Sequence, residues 1–202
     1  NGNSVISRKE TSEKLHFTSP HVFPLFSVLD PETTFTLPKK QVRNGIVDAF
    51  AHVMEQYMTF PAGAPLQDRL AESILQTLVE VGPRTIEAPQ NYDARASFMW
   101  AATLALNDLI GAGVPQDWST HMIGHEITAF YGLDHAETLA IVMPGIWRHK
   151  LDAKRAKLEQ YGLRVWNVQT AEEAIDKTEA FFRNLGMPTR LSDHDVAADE
   201  AA

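Results

Sequence analysis

Three histidines and one aspartate are spaced so that they can hold a metal ion. Asp48 and His52 lie four residues apart in DAFAHVMEQY. On a helix that spacing puts a carboxylate and an imidazole on one face, about one turn apart. His121 and His135 lie in HMIGHEITAFYGLDHAE, with His125 one helical turn after His121. Two imidazoles from this second segment would complete an Asp-His-His-His set. Nitrogen and oxygen donors without thiolate suit a borderline divalent ion such as Zn²⁺ or Fe²⁺.

Each residue also has an ordinary reading. Asp48 interrupts the apolar stretch Ile46, Val47, Ala49, Phe50, Ala51. It is either a buried carboxylate, which requires a cation or a partner, or a solvent-facing acid on an amphipathic helix. His121 and His125 have the i, i+4 spacing of a zincin helix, but Glu126 follows His125. The order is therefore H-x-x-x-H-E, and the general base of a metalloprotease is not in its place. Spacing alone leaves open whether His121, His125 or both bind metal. His16, His21, His149 and His194 stand in polar or turn contexts and read as structural or solvated. The run Gly111 to Trp118 reads as a helix end and loop before the His121 helix. Asn1 and Lys14, flanking an expected strand pair, read from composition as surface residues.

The elements that must position these groups are mainly helical. Short apolar pieces at Val5–Ser7 and Phe26–Leu29, broken by Pro20, Pro24 and Pro31, predict short strands over residues 1–37. Nothing later in the chain offers them a partner, so their sheet is expected to lie upstream. From Pro38 onward, apolar residues recur at helical spacing. Helices are expected over 38–58, 65–81 (stopped by Gly82-Pro83), 92–110, 117–130, from 135 with an interruption at Pro144-Gly145, 151–166 and 170–185. The end, DHDVAADEAA, reads as a frayed tail.

With 202 residues and 44% hydrophobic content, the chain has enough material for a full core. A net charge of −8 argues against nucleic acid or an anionic membrane as the main partner. Cysteine is absent, which excludes disulfides and thiolate zinc sites and fits a reducing compartment, the cytoplasm. No run approaches a transmembrane span, and the polar start shows no signal peptide.

The segments NGIVDAFAHVMEQY, GAGVPQDWSTHMIGHEITAFYGLDHAETLAIVMP and the opening NGNSVIS…K…SVLDP…TLP resemble the metal-dependent ("iron-containing") alcohol dehydrogenase family, in particular its NADPH-dependent aldehyde reductase and butanol dehydrogenase branch. The resemblance covers residues 1–192. It implies that residues 1–37 are the tail end of an α/β dinucleotide-binding domain and 38–202 a truncated, α-helical metal-binding catalytic domain. It implies Asp48, His52, His121 and His135 as metal ligands. His125 would be a proton relay beside the nicotinamide. Asn1, Lys14, Thr33 and Thr36 would be cofactor contacts. The implied activity is reversible reduction of small aldehydes to primary alcohols with NADP(H), in preference to NAD(H), by a homodimer holding one Zn or Fe ion. The family's pyrophosphate-binding glycine motif is not in this chain, so the chain alone is expected to be inactive. The readings set against this are an all-α His/Asp metallohydrolase and a non-catalytic helical module.

Overall fold

The computed structural model describes residues 2–196. It opens with a hairpin, β1 (Asn3–Arg8) and β2 (Glu13–Thr18), paired antiparallel from Asn3↔Thr18 to Arg8↔Glu13. Seven helices follow: α1 (Lys39–Tyr57), α2 (Pro65–Glu87), α3 (Tyr92–Ala105), α4 (Ser119–Tyr131), α5 (His135–His149), α6 (Leu151–Tyr161) and α7 (Ala171–Asn184). The mainly helical fold class expected from the sequence is the one observed.

Helix α1 is the axis of the fold. Its residues Val42, Ile46, Val47, Phe50, Val53, Met54 and Tyr57 are all buried, so the helix is wrapped on most of its circumference. It packs against α2, α3 and α5, while α5 in turn packs against α4 and α7. Phe50 meets Phe182 edge-on at 5.4 Å and Phe181 at 5.7 Å, joining α1 to α7. Each such side chain contributes roughly 1.5–3 kcal/mol by leaving water. A capping box formed by Thr170 and Glu173 starts α7.

Several expectations about the elements are corrected. The strand predicted at 5–7 finds a partner within the chain, at Glu13–Thr18. Phe26–Leu29 forms no strand and has no regular secondary structure, and Phe26 and Val28 are 80% and 82% exposed. Gly82-Pro83 does not stop α2, which runs on to Glu87. Gly82 instead lets α1 come close, since a Cβ there would sit 3.0 Å from Cγ2 of Ile46. Pro144 likewise lies inside a continuous α5. Packing on both sides outweighs the one backbone hydrogen bond that each proline forgoes. Helix α3 ends at Ala105, short of the predicted 110. A π-helical turn at Gly162–Trp166 completes the predicted 151–166 element. The expected tail begins with a 3₁₀ turn at Leu191–His194, and its last six residues lie outside the described residues. Among the described residues no helix is long and apolar enough to cross a membrane.

Candidate metal centre

The N-terminal ends of α4 and α5 are both fastened to α1, which carries Asp48 and His52. The amide of Asp117 donates to the carbonyl of Glu55 at 2.8 Å, fixing the chain just before α4. Asn44 Nδ2 donates to Asp134 Oδ2 at 3.0 Å, and Lys40 Nζ lies 2.9 Å from the same oxygen, fixing the residue before His135. Helix α4 also lies tight on α5 at Gly124, where a Cβ would come within 2.8 Å of Thr138 Oγ1. These contacts bring two helices far apart in sequence from α1 onto its Asp48 face.

There the predicted residues converge. One ligand atom from each of Asp48, His121 and His135 lies within 4.8 Å of the others. Asp48 Oδ1 is 3.4 Å from His135 Nε2, and Asp48 Oδ2 is 3.5 Å from His52 Nδ1. The His52 and His121 rings stand 4.7 Å apart, so His52 borders the triad without belonging to it as closely. His125 lies 5.1 Å from the His135 ring and 6.4 Å from that of His121, behind the triad. The Asp48 side chain is 35% exposed, between the buried and the solvent-facing reading, and it faces the histidine cluster.

The electrostatics suit metal ligation. Burial first, then the neighbouring charges, lowers the pKa of His121 to about 3, of His125 to about 4 and of His135 to about 2. At neutral pH these imidazoles keep a lone pair free. Both ring nitrogens of the buried His121 and Oδ1 of Asp48 have no hydrogen-bond partner. A buried imidazole without any partner is costly unless a cation takes its lone pair. A divalent ion fits this donor set.

Lys14, on β2, reaches the cluster: its Nζ is 3.3 Å from His135 Nδ1, and burial lowers its pKa. Trp118 stands edge-on to His52 at 6.1 Å and His121 at 5.2 Å, so the end of the loop before α4 lies against the site. Thr33 and Thr36 are exposed, in the turn that leads into α1, and Thr33 Oγ1 donates to the Asp30 carbonyl at 2.6 Å. No described contact brings either threonine to the histidines. Asn1 lies outside the described residues.

Glu55 is a residue the spacing argument passes over. It is 4% exposed, and its Oε2 lies 3.6 Å from Nδ1 of His121. Burial pushes its carboxyl up to about 7. The signal was available: an acid one turn beyond His52, between the core residues Met54 and Tyr57.

The chain belongs to the iron-containing alcohol dehydrogenases, since residues 43–202 match the model of the Fe-containing alcohol dehydrogenase family, C-terminal. Among curated proteins it is similar to the NADPH-dependent aldehyde reductase YqhD of Escherichia coli, 59% identical over 96% of this chain and 52% of that protein. It is also similar to a probable NADH-dependent butanol dehydrogenase of Bacillus subtilis, 42% identical over 97% of this chain and 53% of that one. The crystal structure of E. coli YqhD superposes with a TM-score of 0.95 at 58% identity, over 97% of this chain and 52% of that chain. The chain thus spans about half the length of the curated relatives it matches.

Proposed function

We propose that the full-length protein interconverts aldehydes and primary alcohols with NADPH at a single metal centre held by Asp48, His52, His121 and His135. The convergence of Asp48, His121 and His135 within 4.8 Å, with both nitrogens of His121 unpartnered, carries this reading. The donor set suits Fe²⁺ and Zn²⁺ alike. When bound, the ion supplies Lewis-acid polarisation of a carbonyl oxygen, and the nicotinamide supplies the hydride.

The chain's own residues do the remaining work. Asp48 contributes one negative charge, leaving the centre net positive. His121 and His135 contribute neutral nitrogens that burial keeps unprotonated, and His52 contributes a third imidazole. Trp118 shields one side of the cluster from water. His125, buried beside His135, would serve as the proton donor for the product oxygen. Lys14 and Asn1 hold the nicotinamide end of the cofactor, and Thr33 and Thr36 its adenosine side. Residues 1–37 belong with an α/β dinucleotide-binding domain and 38–202 with the helical metal domain; the exposed apolar side chains of Leu25, Phe26 and Val28 support that division. Trp118 beside the centre offers an apolar wall that favours a broad range of short and medium aldehydes. A cytoplasmic homodimer goes with this reading through family resemblance. Family membership leaves the metallohydrolase and non-catalytic readings without support.

The test is elemental analysis of purified full-length protein beside its Asp48→Ala variant, with aldehyde-dependent NADPH oxidation measured on both. About one equivalent of iron or zinc and turnover in the wild type, both lost in the variant, are expected. Full metal content and normal turnover in Asp48→Ala would remove Asp48 from the ligand set.

A further inference from the structure

We propose that Glu55 is the positioning residue for His121, its carboxylate fixing the ring so that Nε2 is presented to the metal. This rests on the metal-centre reading above. The Glu55 carboxylate lies against the first turn of α4, beside the Thr120 hydroxyl and the His121 backbone amide. The carbonyl of the same residue accepts from the Asp117 amide at 2.8 Å. Glu55 therefore stands in a fixed place relative to the His121 backbone, and both residues are only 4% exposed.

Its Oε2 has no hydrogen-bond partner and lies 3.6 Å from Nδ1 of His121. A neutral imidazole carries one N–H, and an acceptor beside Nδ1 draws it there. The lone pair then sits on Nε2, the nitrogen on the far side of the ring. A carboxylate behind a metal-binding histidine sets tautomer, orientation and ligand basicity in this way. Among the described residues, none places such a carboxylate behind His52 or His135. His52 faces Asp48 through Nδ1, and His135 meets Lys14 at Nδ1. Glu55 thus singles out His121 as the most firmly oriented nitrogen of the set.

The test compares wild type with Glu55→Gln in the full-length protein after chelator treatment. Glutamine keeps the size and one carbonyl oxygen, but turns an amide donor toward Nδ1 and so favours the opposite tautomer. Three readouts are taken: Co²⁺ affinity by chelator competition, Tm of the metal-free protein, and the His121 tautomer by ¹⁵N NMR. Expected are a Co²⁺ affinity about 10- to 100-fold weaker in the variant, an unchanged metal-free Tm, and a shift of the ring proton from Nδ1 to Nε2. Equal affinities overturn the proposal, as does weaker binding with an unchanged tautomer, which assigns Glu55 a structural role only. Wild type that binds no Co²⁺ defeats the metal-centre reading, and this proposal with it. Should the variant not fold, the wild-type spectrum decides: a proton on Nδ1 of His121 upholds the proposal and a proton on Nε2 overturns it.

Discussion

Nζ of Lys14 stands 3.3 Å from Nδ1 of His135, on the side of the ring away from Asp48. With the Nε2 lone pair given to a metal, the ring proton sits on Nδ1, and the two groups become a pair of donors facing each other. Metal binding should therefore turn Lys14 away from His135 and free it for another acceptor. Lys14→Met is expected to leave metal affinity unchanged or strengthen it by about two- to fivefold, the scale of one partly exposed charge interaction. It is also expected to raise KM for NADPH. Chelator competition checks the first part and steady-state kinetics the second. A tenfold loss of metal affinity would show that Lys14 supports the ion instead.

Gly124 is where α4 meets α5 most closely, and its replacement should be felt at the ligands. In Gly124→Ala the new Cβ meets Thr138 Oγ1 at 2.8 Å and Leu139 Cδ2 at 3.3 Å, and both neighbours are fully buried. Thr138 also donates to the His135 carbonyl at 2.7 Å, so it cannot yield without moving the start of α5. The better helix propensity of alanine offsets about 1 kcal/mol. Overpacking costs about 1–3 kcal/mol, so a net loss near 1 kcal/mol is expected, with weaker metal binding. Urea denaturation and metal titration measure the two effects; a gain in stability would mean that the helix pair has slack.

His125 lies beside the ligands and is expected to act on protons, not on the metal. His125→Ala should retain the full metal content, lose about 10²-fold in kcat and flatten one limb of the pH–rate profile. His121→Ala, by contrast, should lose both metal and turnover. Metal loss in both variants, or an unaltered pH–rate curve in His125→Ala, would remove the distinction between the two histidines.

Acid should destabilise the metal-free protein. His121, His125 and His135 all have folded-state pKa values lowered by burial from 6.5, to about 3, 4 and 2. Below pH 6.5 the unfolded chain takes up protons that the folded chain refuses, so their contribution to stability is lost as pH falls. Glu55 acts in the opposite sense. Its carboxyl, pushed by burial from 4.5 to about 7, keeps a proton in the folded state that the unfolded chain releases. Near pH 5.5 the three histidines outweigh the one glutamate by roughly two protons. The urea midpoint of chelator-treated protein is expected to be lower at pH 5.5 than at pH 7.5. A higher midpoint at pH 5.5 would contradict the burial of the histidines.

The sequence made the helical domain legible because apolar residues of α1, from Val42 to Tyr57, recur with a helix's period, and packing on a core needs that period. It did not reveal which prolines would be stops. Pro83 and Pro144 look alike on paper to terminators, and only the neighbours that cover their helices keep them inside. Phe26–Leu29 has strand-forming residues but no partner among the described residues, and a strand is defined by its partner. At the site, Asp48, His52, His121 and His135 were singled out by spacing and resemblance, and the structure gathers Asp48, His121 and His135 with His52 beside them. The place of Glu55 among core residues of α1 could be read from the sequence, but its contact with His121 could not, because it crosses from α1 to α4. The reach of Lys14 from the hairpin to His135 likewise exists only in three dimensions.

The four residues read as ligands are spread over α1, α4 and α5, with two whole helices between the first pair and the second. An ion held by all of them would be a cross-link closing large loops of chain, available only to the folded state. Its binding energy would add to folding stability by mass action. Metal supply would then govern how long the protein survives proteolysis as well as whether it turns over. Starved of metal, the chain would be lost from the cell and not merely idle.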